Sequence, residues 1–127
     1  MSQDASFAFA PTIISATLGR FRIHATVAGG QRLDGGAMFG VVPRPMWERR
    51  IAPDARHRIP LAMRCLLVEH DDGLVLLDTG VGNKEGEKFR GIHGIENAGA
   101  DIRTWLEDAL VSLGHRPEDV AWVVNTH

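Results

Sequence analysis

The chain has 127 residues, 44% of them hydrophobic and 24% charged, which suits one domain able to bury about two thirds of its unfolded surface. Lys+Arg 14 against Asp+Glu 16 leave a formal net charge of -2, scattered without a basic stripe, so nucleic acid is not an expected partner. No apolar run approaches the ~20 residues of a membrane span, and MSQDASFAFAP has no basic leader ahead of a long apolar core, so no membrane partner and a cytoplasmic location are expected. The single cysteine, Cys65, excludes an internal disulfide and sits in an apolar run, where a small buried hydrophobe is expected rather than a nucleophile.

Residues 1–11 read as a loose lead-in. Ile13, Ile14, Leu18, Phe21, Ile23 and Val27 around Gly19 then supply strand formers for a hairpin or bent strand pair. His24 lies within it with no other His, Cys or Asp at ligand spacing, and is expected to be a satisfied structural histidine. Five glycines among the twelve residues GGQRLDGGAMFG, Gly29 to Gly40, predict a loop carrying Met38 and Phe39. Those two side chains either line a pocket or pack back onto the core. Pro43, Pro45, Pro53 and Pro60 leave room for only a short turn of helix around Met46 to Ile51. Arg49, Arg50, Arg56 and Arg58, interleaved with Glu48 and Asp54, predict a solvated and partly paired face, with an anion-binding patch as the alternative.

The most informative stretch is CLLVEHDDGLVLLDTGVG, Cys65 to Gly82. Cys65 to Val68 and Leu74 to Leu77 are uniformly apolar, which predicts a hairpin covered on both faces, turning through Asp71, Asp72 and Gly73. Asp78, Thr79 and Gly80 follow directly. Asp78 either caps the turn after the strand or presents a carboxylate at the sheet edge.

Gly80, Gly82 and Gly86 spell Gly-x-Gly-x-x-x-Gly behind a strand, but residues 84–95 form a poor helix and no Gly-Lys-Ser/Thr follows, which disfavours a nucleotide loop. Ile102, Trp105, Leu106, Ala109, Leu110 and Leu113 fall on one helical stripe, predicting a helix over 102–113 capped by Asp101, with Gly114 just beyond it. Val120 to Val124 then read as a buried strand, so helix, tight loop and strand suggest layered α/β architecture.

Taken together, LLVEHDDGLVLLDTGVGNK, the amphipathic helix, LGHRPEDV and VVNTH resemble the N-terminal half of the metallo-β-lactamase-fold hydrolases. DGGAMFGVVPRPMW and GVGNKEGEKFRGIHGI are similar to the branch containing acyl-homoserine-lactone lactonases and methyl-parathion-type hydrolases. The resemblance spans about residues 20 to 127 and implies the front half of a four-layer αββα sandwich. It further implies that His127 is the first metal-ligand histidine, that Asp78 supports the site from beneath, that Gly80 makes the tight turn, and that Met38 and Phe39 border the substrate pocket. By the same resemblance, hydroxide on one or two zinc ions attacks a lactone, another ester or a phosphotriester of a small-molecule substrate, and the enzyme could pair as a homodimer.

The histidines at 24, 57, 70, 93, 115 and 127 include no closely spaced pair, and zinc needs about three or four protein ligands. The expectation is therefore a single partial domain over 1–127, truncated at the first ligand and inactive alone. The alternative is a non-catalytic remnant or binding module that keeps the sheet and lacks the metal.

Overall fold

A computed structural model describes residues 9–127, so most of the expected lead-in lies outside the described residues. Strand β1 (Ile13–Leu18) and strand β2 (Phe21–Asp34) pair antiparallel around Gly19, Leu18 opposite Phe21, as the strand formers there predict. Strand β3 (Arg58–His70) lies antiparallel to β2 and turns at Asp71 and Asp72 into strand β4 (Gly73–Leu77). Strand β5 (Val120–Val124) adds parallel to β4, completing a five-stranded sheet in chain order. That one parallel pair needs a crossover, and the helices between β4 and β5 supply it. The expected α/β class holds. No helix among the described residues is long and apolar enough to cross a membrane.

Several local expectations are corrected. The glycine-rich stretch from Gly29 is not a loop: β2 continues through it to Asp34, past a bulge between Val27 and Gly29. A Cβ at Gly29 would stand 2.6 Å from Met63 Cε and 2.8 Å from Asn97 Cβ, so that glycine permits close packing rather than flexibility. Gly35–Phe39 forms helix α1, whose N-terminus is capped by Asp34 Oδ1 accepting from Ala37 N at 2.7 Å. Met38 and Phe39 thus ride on a helix, with Phe39 stacked on Trp47 at 5.2 Å between ring centroids. Helix α2 (Arg44–Trp47) starts two residues before the expected turn, since proline suits a first helical turn.

Helix α3 (Glu87–His93) forms where a poor helix was expected. Arg58 Nη1 donates to the carbonyls of Gly91 and Ile92 at 3.0 and 2.7 Å, and this distant cap outweighs weak local propensity. Helix α4 (Trp105–Ser112) is shorter than the stripe suggested. Thr104, not Asp101, is its cap, in a reciprocal pairing with Glu107, while Ile102 is 88% exposed. Gly114 follows the helix with φ +84°, as expected.

The core joins Ala28, Cys65, Leu67, Leu74 and Leu76 on one sheet face to Leu110 of α4. The opposite face is just as apolar yet not covered by the described residues: Leu66 is 38%, Trp122 51% and Val124 49% exposed. This corrects the expectation of two covered faces: among the described residues, the buried face is the one on which Leu106, Leu110 and Leu113 pack. His24, 1% exposed, is buried in the sheet as expected but only half satisfied: Nδ1 lies 2.6 Å from Ser15 Oγ, while Nε2 has no hydrogen-bond partner among the described residues. Its Nε2 faces Glu69 Oε2 at 3.4 Å, and His115 Nε2 meets Glu69 Oε1 at 2.7 Å.

Candidate functional site

The parallel pair β4 and β5 ends at one edge of the sheet, the place where open α/β sheets usually bind ligands. Asp78 N donates to Val124 O at 2.9 Å as the ladder's last bond. Asp78 then takes φ +62° and Gly80 φ +67°, so the chain turns sharply off the strand. A left-handed aspartate is uncommon and costs about 1 kcal/mol or more, which tertiary contacts must offset.

Thr126 provides those contacts. Its N–H donates to Asp78 Oδ1 and its hydroxyl to Oδ2, each at 2.8 Å. These bonds, backbone first, hold the Asp78 carboxyl below the usual carboxylate range, and the neighbouring His127 lowers it further. Thr126 Oγ1 also lies 2.8 Å from His127 Nδ1. A hydroxyl has one proton, and the carboxylate can only accept, so that proton goes to Asp78. Thr126 Oγ1 must then accept from Nδ1–H of His127, so that in the neutral imidazole the bare nitrogen is Nε2. An imidazole fixed in that tautomer is in the form that ligates metal. Thr126, quoted only as part of a motif in the sequence, is the link between the two residues picked out there.

Beneath this relay lies Cys65, 2% exposed. Its thiol is pushed up to about 11, by burial first and by the Asp78 charge second, against a lowering by the Gly80 N–H. A thiol so rarely ionised at neutral pH is a packing group, as its apolar run predicted. The loop after Gly80 is held from outside the motif: buried Asn97 donates from Nδ2 to Gly82 O at 2.7 Å and accepts from Arg90 Nη2 at 2.9 Å. No sequence signal marks Asn97.

Asp78, Gly80 and His127 share one cleft of about 610 Å³ with Gln31, Ala62 and Arg64. Met38 and Phe39 do not line that cleft; Met38 is half exposed on α1 and Phe39 lies against Trp47. Among the described residues no group of three or more His, Cys, Asp or Glu is placed to hold a metal ion. His127 offers one nitrogen, while both Asp78 oxygens are engaged by Thr126. The described residues therefore offer one imidazole at this cleft, short of the about three or four protein ligands a zinc site needs.

Among curated protein sequences none matches the chain. Solved structures do. A probable metal-dependent hydrolase from Staphylococcus aureus is similar at 30% identity and TM-score 0.75, over 88% of this chain and 39% of that one. AidC, a dizinc quorum-quenching lactonase in complex with an N-acyl-L-homoserine product, shares the fold at 24% identity and TM-score 0.60, over 92% of this chain and 36% of its own. The hydrolase AbOPH of the β-lactamase superfamily does so at 16% identity and TM-score 0.59, over 94% and 37%. The chain thus spans less than two fifths of the length of each of these structures. A sequence profile of the metallo-β-lactamase superfamily matches residues 59–127, more than half of the chain and the part that carries Asp78, Thr126 and His127, and the chain belongs to that superfamily.

Proposed function

We propose that the chain is the N-terminal part of a cytoplasmic zinc-dependent hydrolase acting on a lactone, another ester or a phosphotriester. The observation that carries this reading is the hydrogen-bonded chain Asp78–Thr126–His127 at the cleft, which assigns the Nδ1 proton of His127 to the bond with Thr126 and Nε2 to ligation in the neutral ring. A purely structural turn cap would need Thr126 but would not need to orient an imidazole. The similarity to a probable metal-dependent hydrolase supports metal chemistry, and the fold shared with a dizinc lactonase supports esters as the substrate class.

Bound zinc would supply a lower pKa for water and polarisation of the substrate oxygen. The residues of this chain do the preparatory work. Asp78 stays ionised, Thr126 donates its hydroxyl proton to Asp78 and accepts from His127 Nδ1–H, and the Gly80 turn keeps the carboxylate at the strand end. The remaining ligands would come from the rest of a longer protein.

A second reading, a binding module without metal, is favoured by the lack of further ligands among the described residues. Metal analysis of the full-length protein after dialysis separates the two. About one or two zinc ions per chain, with ester, lactone or phosphotriester turnover that chelation removes and zinc restores, is the expected result. A metal-free protein without turnover would establish the binding module. Residues 1–127 alone should retain no stoichiometric zinc, because one imidazole binds it weakly.

A further inference from the structure

We propose that Arg64 makes the cleft selective for substrates that join a carboxylate to an apolar chain, a specificity that rests on the hydrolase reading. Arg64 stands on β3 opposite Val27, with an exposed side chain. It borders the cleft that holds Asp78 and His127, and it also borders a neighbouring cavity of about 430 Å³. Ala62 is shared in the same way, so the two spaces adjoin along β3.

The second cavity is lined among the described residues by Ile51, Ala52, Pro60 and Leu61, with Arg50 and Arg64 as its charged members and no carboxylate. Several other arginines are matched: Arg58 meets Asp54 at 2.9 Å, Arg103 meets Asp108 at 2.6 Å and Arg44 meets Glu48 at 2.8 Å, whereas Arg32 and Arg49 have no ion pair among the described residues and line neither cavity. The guanidinium groups of Arg50 and Arg64 have no ion pair or hydrogen bond among the described residues, although acidic residues outnumber basic ones in the chain. The carboxylate that shares a cleft with Arg64, Asp78, has both oxygens taken by Thr126. Two cations thus border an apolar recess, and no described carboxylate lining it neutralises them.

A ligand matching that surface has an apolar portion for the recess and an anionic group for the guanidinium fork, which binds carboxylate in two parallel hydrogen bonds. Because Arg64 and His127 line one cleft, the anion would sit on the same molecule as the bond to be broken. This also gives the arginines between Arg49 and Arg58 a divided role: Arg58 is structural, while Arg50 belongs to the anion-binding alternative.

The test uses the zinc-loaded full-length protein and two readouts. Calorimetric titration compares octanoate with octanamide, a neutral analogue of the same length. Octanoate should bind about tenfold tighter, as one charge-assisted contact implies, and Arg64→Gln should bring the two within about twofold. Arg64→Lys keeps the charge without the fork and should retain part of the preference. In parallel, the p-nitrophenyl monoester of adipic acid should show a lower KM than p-nitrophenyl hexanoate, and Arg64→Gln should abolish the difference. Equal binding of octanoate and octanamide by the wild type, or a preference that survives Arg64→Gln, would overturn the proposal. An Arg64-dependent octanoate preference in a protein that turns over neither ester would support this site and remove the hydrolase reading instead.

Discussion

Thr126→Val in the full-length protein is the most direct probe of the relay. Valine matches threonine in shape and keeps the backbone N–H that donates to Asp78 Oδ1 at 2.8 Å, so half of the support of Asp78 survives. What disappears is Oγ1, and with it the 2.8 Å bond to Asp78 Oδ2 and the 2.8 Å contact to His127 Nδ1. Loss of a partner that orients a metal-ligating imidazole usually costs about 10 to 100-fold in metal affinity. Since the ring stays in place on the same backbone, about tenfold is expected here, with Asp78→Asn, which removes the charge and one of the two acceptors for Thr126, nearer the upper limit. Zinc affinity from competition with a chromophoric chelator reads the effect, and Thr126→Ser should behave as wild type. The double variant carries the sharper expectation: residues acting in one hydrogen-bonded chain are not additive, so it should lose little more than Asp78→Asn alone. Additive losses, or a Thr126→Val protein with unchanged zinc affinity, would show that the three residues are not one unit.

Leu76→Asp places a carboxylate in the core beside Cys65, Leu67 and Leu110 and should cost about 4 kcal/mol. Arg56→Ala removes one 3.3 Å bond to Gly91 O and should cost under about 1 kcal/mol, so equal urea midpoints would refute the burial assigned to β4. Glu69 is held below its ordinary 4.5, by His115 first, so its contribution is present above that value and lost as pH falls through its lower folded value. Glu69→Gln should lower stability near neutrality by about 1 to 2 kcal/mol and flatten the acid limb of the stability profile, read from thermal melts across pH. Thr104→Ala removes the cap of α4 and should cost about 1 kcal/mol, whereas Asp101→Ala should cost less, reversing the order the sequence alone suggests.

What the amino-acid sequence determined by itself was whatever local chemistry controls. Uniformly apolar runs on either side of Asp71 and Asp72 made the β3 and β4 hairpin, the stripe through Trp105, Leu106, Ala109 and Leu110 made α4, and Asp-Thr-Gly with a terminal Thr-His marked the sheet edge that carries the site. What depends on distant partners was not legible there. Gly29 lies in a strand because Met63 and Asn97 leave no room for a Cβ, and α3 exists because Arg58, about thirty residues earlier, caps its last carbonyls. Helix α4 starts at Thr104 because a hydroxyl and Glu107 satisfy each other better than Asp101 could from a left-handed turn. The relay itself needed the parallel register of β4 and β5 to bring Asp78 beside Thr126, 48 residues later. Residue types announced that a carboxylate and an imidazole were present, but only the closing of the sheet placed a single hydroxyl proton between them and so decided which nitrogen of His127 is free.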